Sequence, residues 1–266
     1  MRTELSPRWV RGYVGDVAVV DTRSALLFWE DSFPVPSYAH DPADVRTDLL
    51  VPSAGPPPTQ PWFFLPRGPV SAWYDLRVDG RTVPHAAWRR DDPALADRLV
   101  ISWAPGLLDR WLEEDEEVAG HPRDPHKRVD ALPSSRHVVV SLDGVVLADS
   151  WSPVLLFETG LPVRSYLPAA DVRLEALTPS SRRSHCPYKG AADRYWDVSG
   201  HPDGEGLAWS YRDPYPAVGR IRDRIAFYDE LVDVTVDGVL QPRPVSPFSQ
   251  AAHRPGRDEQ GSPPVS

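Results

Sequence analysis

Apolar and polar positions along this chain read mostly as short strands joined by tight turns. Val138-Val139-Val140 and Val145-Val146-Leu147 flank Asp143-Gly144, a pair suited to the left-handed backbone of a two-residue hairpin turn. Asp79-Gly80 between Leu76-Arg77-Val78 and Arg81-Thr82-Val83 repeats the device, as does Asp237-Gly238 between Val234-Thr235-Val236 and Val239-Leu240. The expected fold is therefore mainly β, a system of twisted antiparallel strands folded over to bury its β-branched and aromatic face. One longer helix is predicted after Pro105. There Leu107, Leu108, Trp111 and Leu112 share a face, Glu113-Glu114-Asp115-Glu116-Glu117 reads as mostly solvated, and Gly120 suits a stop. A short helical turn is expected near Pro216-Ala217-Val218.

The pattern occurs twice. Asp16 to Asp21, Leu26-Leu27-Phe28-Trp29-Glu30, Phe33 to Tyr38 and Asp44-Val45-Arg46 return in the same order as Gly144 to Asp149, Val154-Leu155-Leu156-Phe157-Glu158, Leu161 to Tyr166 and Asp171-Val172-Arg173. Trp73-Tyr74-Asp75-Leu76 answers to Tyr195-Trp196-Asp197-Val198, Ala87-Trp88 to Ala208-Trp209, and Asp97 to Ile101 to Asp223 to Phe227. A repeat this long implies duplicated domains rather than a solenoid. The expected organisation is a first domain over 10–118, a linker over 119–135, a second domain over 136–241 and a disordered tail over 242–266, where Pro, Ser, Gln and Gly replace any apolar pattern.

Composition narrows the function classes. The 266 residues suit two domains of common size, and 31 prolines imply many turns and stiff connections. A formal charge of -9 repels phosphate backbones, so nucleic acid is not the expected partner. No apolar run is long enough for a membrane span, and Met1-Arg2-Thr3-Glu4 leads into polar sequence without a secretory core, so the expected location is cytoplasmic. The single cysteine, Cys186, cannot form an internal disulfide or a multi-cysteine zinc site. Scattered histidines add no metal-ligand spacing, and no nucleotide-binding glycine loop is present, so neither metal nor cofactor is expected.

The copies differ most where chemistry is available. Where the first copy has Pro56-Pro57-Pro58 and Trp62-Phe63-Phe64-Leu65-Pro66, the second carries Ser184-His185-Cys186-Pro187-Tyr188-Lys189-Gly190. Cys186 beside His185 and Lys189 sits in an electropositive setting that favours a thiolate, which makes it the candidate nucleophile, although a lone cysteine in a strand-rich domain more often fills a small buried packing position. Lys189 can pair with an anionic ligand. Tyr166, Tyr188, Tyr195, Trp209 and Tyr211 supply aromatic area with polar handles, as small-molecule pockets need. By the repeat, Tyr166 and Trp209 answer to Tyr38 and Trp88 and suit a core role, whereas Tyr211 answers to Arg90, a change that suggests altered binding. Glu158, answering to Glu30, suits either a structural hydrogen bond or a pocket acid.

These residues carry a family resemblance. His185-Cys186-Pro187-Tyr188-Lys189-Gly190-Ala191-Ala192, Tyr195-Trp196, Ala208-Trp209-Ser210-Tyr211-Arg212-Asp213-Pro214 and Ile225-Ala226-Phe227-Tyr228 resemble the DUF427 family, which also carries a nucleotidyltransferase-type label. The first copy resembles it through Trp73 to Gly80 and Ala86-Ala87-Trp88 but lacks the Cys-Pro-Tyr-Lys-Gly element. The resemblance implies two tandem β-tent-like domains, each with two antiparallel sheets meeting at an angle over a groove. The zinc of some β-tent relatives is not implied, because their paired cysteines are missing here.

Three functions follow as expectations. In the first, the second copy binds a small polar or anionic molecule while the first is a degenerate structural partner. An enzyme, nucleotidyltransferase-like or dependent on Cys186, is the alternative, with His185 a poor base because neighbours in a strand face opposite ways. A protein-interaction module built on Pro56-Pro57-Pro58 and Trp62-Phe63-Phe64 is the third.

Overall fold

The computed structural model of the chain describes residues 1–31, 33–58, 62–198, 200–201 and 204–249. It divides into two compact units, one over Met1–Asp124 and one beginning at Pro125. The first holds β1 (Arg2–Leu5), β2 (Val10–Val14), β3 (Val17–Thr22), β4 (Leu26–Trp29), β5 (Ser37–His40), β6 (Leu50–Pro52), β7 (Ala72–Val78), β8 (Arg81–Arg89), β9 (Leu99–Ile101), β10 (Arg110–Glu113) and β11 (Glu116–Glu117). Seven of these form one antiparallel sheet in the order β1-β4-β5-β9-β8-β7-β6, and four form another, β11-β10-β2-β3.

The second unit holds β12 (Val129–Pro133), β13 (Val138–Leu142), β14 (Val145–Ser150), β15 (Val154–Glu158), β16 (Arg164–Tyr166), β17 (Thr178–Ser180), β18 (Ser184–Cys186), β19 (Gly190–Ala192), β20 (Arg194–Asp197), β21 (Ala208–Ser210), β22 (Ile225–Phe227), β23 (Asp233–Val236) and β24 (Val239–Leu240). Its sheets are β12-β15-β16, β17-β20-β21-β22 and β14-β13-β23-β24. The first two are joined by a bridge between Leu167 and Ile225, so the order of the seven-stranded sheet recurs, and so does that of the four-stranded one. Among the described strands the β18-β19 hairpin is the one without a counterpart, in the place where the first unit has a short 3-10 turn at Trp62–Phe64.

The expected turns form as the chemistry requires. At Asp79-Gly80, Asp143-Gly144 and Asp237-Gly238 both residues have positive φ, between 47° and 81°. Val138, Val140 and Leu142 then point into the core while Val139 and Ser141 do not. A turn is also present at Pro216–Ile221. Helix among the described residues is limited to such 3-10 turns, and none of them is long and apolar enough to cross a membrane.

The helix predicted after Pro105 is a hairpin instead. β10 and β11 turn at Glu114, whose φ is 53°, and they occupy the place of β23 and β24. Trp111 lies opposite Gly12 just as Val234 lies opposite Val140. Glu114 to Glu117 are exposed as expected, whereas Glu113 is buried, accepts a hydrogen bond from Tyr38 Oη at 2.9 Å and meets Arg8 at 3.2 Å. Strand β12 lies inside the 119–135 segment and pairs with β15 as β1 pairs with β4.

Of the expected tail, residues 250–266 lie outside the described residues. Ser246, ahead of them, donates to Glu230 at 2.6 Å and Phe248 packs on Tyr228. The Trp62 side chain of the expected interaction motif is likewise outside the description, while Phe63 and Phe64 are half-buried and pack on each other.

Candidate functional site

The β18-β19 hairpin turns through Pro187-Tyr188-Lys189 and closes with a bond from Lys189 N–H to the Cys186 carbonyl at 3.2 Å. Gly190 makes the closure possible. Its φ is +94°, and a Cβ there would lie 3.4 Å from the Asp213 carbonyl oxygen. The turn sends Lys189 inward, where its ammonium meets one Glu158 oxygen at 2.5 Å, and Lys127 meets the other at 3.2 Å. All three side chains are largely buried. Burial alone would raise the Glu158 pKa, but Lys189 and Lys127 outweigh it and hold the carboxylate below its ordinary range. For Lys189, burial works against the charge, and the Cys186 sulfur, Glu158 and Tyr166 together raise its pKa well above that of a free lysine.

An aromatic floor lies around this cluster. Tyr166, Tyr195, Trp209 and Tyr211 are all buried. Trp209 Nε1 donates to Tyr166 Oη at 3.2 Å, Ser184 Oγ and Tyr195 Oη share a hydrogen bond of 2.6 Å, and the Tyr166 and Tyr211 rings lie 6.4 Å apart. Burial pushes the Tyr166 hydroxyl up to about 12 and that of Tyr211 well above its usual value. Cys186 is half-buried and free. Tyr188 is half-buried, with Lys127 Nζ 5.6 Å from its ring centre. His185 is exposed, its Nε2 3.2 Å from Tyr215 Oη.

Sequence reasoning therefore selected residues that do come together, but they divide into two kinds. Glu158 lines an open pocket of ≈ 240 Å³, together with Arg128, Asp130, Phe157, Thr159, Leu161 and Val163. Tyr166, Tyr195, Trp209 and Tyr211 are buried and Lys189 is largely so, and none of them lines the pocket, nor do Cys186 and Tyr188. Among the described residues no three His, Cys, Asp or Glu side chains are grouped to hold a metal.

The match between Tyr166 and Tyr38 fails in three dimensions. Leu26 pairs with Ala39 in the first copy, whereas its equivalent, Val154, pairs with Tyr166. The turn between β15 and β16 is one residue shorter than its counterpart, and a one-residue slip moves a side chain to the opposite face of a sheet. Tyr38 thus faces Glu113, while Tyr166 faces Trp209 from the position of Ala39. By the same slip Arg164, opposite Leu156, stands where Ser37 stands opposite Phe28.

Trp88 and Trp209 occupy matching rungs, so Arg90 and Tyr211, two residues on, are true counterparts. Arg90 meets Glu30 at 2.5 Å. The equivalent carboxylate is thus neutralised from the residue after β8 in one copy and from the Cys-Pro-Tyr-Lys loop in the other.

Sequence reasoning missed two parts of this region. Lys127 fell in the expected linker. The other is the buried Arg164, which binds both Glu230 oxygens at 2.9 and 3.0 Å and meets Asp229 at 3.4 Å. Burial pushes the Asp229 carboxyl up to about 6, with Arg164 opposing. Its available signal was an arginine within a buried strand, a placement that requires paired acids.

A family model described as a domain of unknown function (DUF427) matches residues 2–104 and again residues 130–238. Comparison with curated proteins finds no match.

Proposed function

The chain belongs to the DUF427 family in two tandem copies, and we propose that the second copy binds a small anionic ligand in the pocket beside Glu158. The observation that carries this reading is the charge count beside the pocket. Two ammonium groups, Lys127 and Lys189, share the Glu158 carboxylate, and Arg128 of the lining pairs with Asp130, which leaves one excess positive charge in a partly desolvated place. Such a site attracts an anion more strongly than a surface lysine does, because screening by water is reduced. Lys189 fixes Glu158, and Lys127, paired with the other oxygen of the same carboxylate, adds its charge beside the lining. Phe157 and Val163 add exposed apolar surface, so the preferred ligand combines an acidic group with an apolar portion.

Thermal-shift screening of the full chain with phosphate, nucleotides and carboxylate metabolites tests the proposal. The strongest hit, titrated by calorimetry, is expected to bind about tenfold more weakly to Lys127→Met. Equal affinity for that variant removes the ligand from this pocket, and a screen without hits counts against binding altogether.

Thiol catalysis is a second reading, favoured by the half-buried Cys186 beside the Lys189 ammonium. Iodoacetamide labelling across pH separates the two: a thiol that reacts only after denaturation serves packing.

A further inference from the structure

The four-stranded sheet recurs in both copies rung for rung, yet its outward face carries different chemistry in each. In the first copy Trp9 is held between two guanidinium groups, with Arg11 3.6 Å and Arg23 4.1 Å from its ring centre. Its indole N–H donates to Asp21 at 2.6 Å. Farther along the same face Arg110 covers Tyr13, 4.4 Å from the ring centre. The aromatic rings, their cations and an acid are thus all supplied from within this copy.

In the second copy the aromatic and the acid remain, and the cations over them are gone. His137 stands in the place of Trp9 and meets Asp149, the counterpart of Asp21, at 2.6 Å. Val139, Trp151 and Asp233 replace Arg11, Arg23 and Arg110. Trp151 stacks one side of its ring on His137, with 4.1 Å between centres and 1° between planes, and is 66% exposed. Among the described residues no cation lies over its ring. Val146 and Leu240 are exposed on the same face, Val146 opposite Ser141 and Leu240 opposite Thr235. Leu240 takes the place of Glu117. Of the acids here, Asp233 is neutralised by Arg243 at 2.9 Å and Asp237 lies 4.0 Å from Arg136, while Asp149 holds a histidine and is 58% exposed.

We propose that this face docks an arginine-bearing segment of another protein, with one guanidinium on the open side of Trp151 and within reach of Asp149. The first copy displays the arrangement completed, and the second presents the same aromatic and acid with the cation missing. Charge complementarity selects a basic partner. The indole face attracts a cation, and a planar guanidinium stacks there better than an ammonium does. Val139, Val146 and Leu240 offer apolar surface to the arginine stem and its neighbours. An acidic face of this kind repels a phosphate backbone or an anionic membrane. It belongs to a different sheet from Glu158 and stands independently of the pocket there.

The probes are a fluorescein-labelled peptide of alternating glycine and arginine and the same peptide with citrulline, which keeps the shape and removes the charge. Fluorescence anisotropy is read on the full chain at about 0.15 M salt, where diffuse attraction between an acidic chain and a cation is screened. The arginine peptide is expected to bind, and the citrulline peptide to bind at least about fivefold more weakly. Trp151→Ala leaves the net charge unchanged and is expected to weaken the arginine peptide about fivefold. A thermal melt checks that this variant is folded; if it is not, Trp151→Arg, which imports the first copy's own residue, takes its role. No binding of the arginine peptide, equal binding of the citrulline peptide, or equal binding by the Trp151 variant each overturns the proposal.

Discussion

Replacing Lys189 with methionine keeps most of the side-chain volume but leaves Glu158 buried with, among the described residues, Lys127 as its remaining cation. In the intact protein the two ammonium groups lie 2.5 and 3.2 Å from the carboxylate oxygens, and the Lys189 and Glu158 side chains are 11% and 6% exposed. Removing one partner of a buried pair costs about 3–5 kcal/mol, since the survivor remains desolvated. The Lys127 contact places the expected loss near the lower end, about 3 kcal/mol. The first copy suggests a rescue. Glu30 is satisfied by Arg90, whose position belongs to Tyr211 in the second copy, so Tyr211→Arg should return about half of what Lys189→Met loses. In the unmodified background the same substitution adds a third cation and is expected to destabilise. Urea unfolding of the full chain, followed by tryptophan fluorescence and analysed as a double-mutant cycle, reads both effects. The reasoning is refuted if Lys189→Met costs less than about 1 kcal/mol, the level of an exposed pair. It is refuted equally if Tyr211→Arg is as harmful with Lys189 removed as with it present.

Two other outcomes follow from the first copy. His40 is fully buried, neither ring nitrogen has a hydrogen-bond partner among the described residues, and burial, with Arg98 adding to it, pushes its pKa down to about 3. The unfolded chain takes up that proton near pH 6.5, so stability is complete above roughly pH 6.5 and is lost as pH falls toward about 3, with roughly 3 kcal/mol gone at about pH 4. His40→Leu should remove this component from stability measured against pH; parallel curves for the two proteins would contradict it. A Cβ on Gly12 would lie 2.8 Å from atoms of Leu108 and Trp111, so Gly12→Val is expected to cost about 1–3 kcal/mol by overpacking. Adding Trp111→Val recreates the Val140 and Val234 pair of the second copy and should recover much of the loss in a thermal melt.

The duplication and the Asp-Gly hairpins were legible because each rests on local chemistry, a left-handed turn flanked by β-formers. The segment after Pro105 was misread because Leu107, Leu108, Trp111 and Leu112 satisfy a helical period by coincidence, and because an acidic run conceals that Glu113 is buried against Tyr38. No sequence spacing could reveal that Lys189 reaches Glu158 across 31 positions. Aligning Ser37-Tyr38 with Ser165-Tyr166 was sound as letters and misleading as geometry, since one missing turn residue reverses which face a side chain serves. The loop itself was found for a physical reason: a cysteine, a lysine and a glycine in a strand-rich chain demand either burial with partners or exposure with a purpose.

Ser246 and Phe248 lie beyond residue 238, where the second family match ends. Ser246 binds Glu230, the carboxylate that clamps Arg164, and Phe248 covers an edge of Tyr228. A fragment cut just after Leu240 would therefore lose a clasp on its own interior, wetting the outer side of the arginine's carboxylate. Excised at its apparent boundary, the second domain would be softer than the same domain within the whole protein.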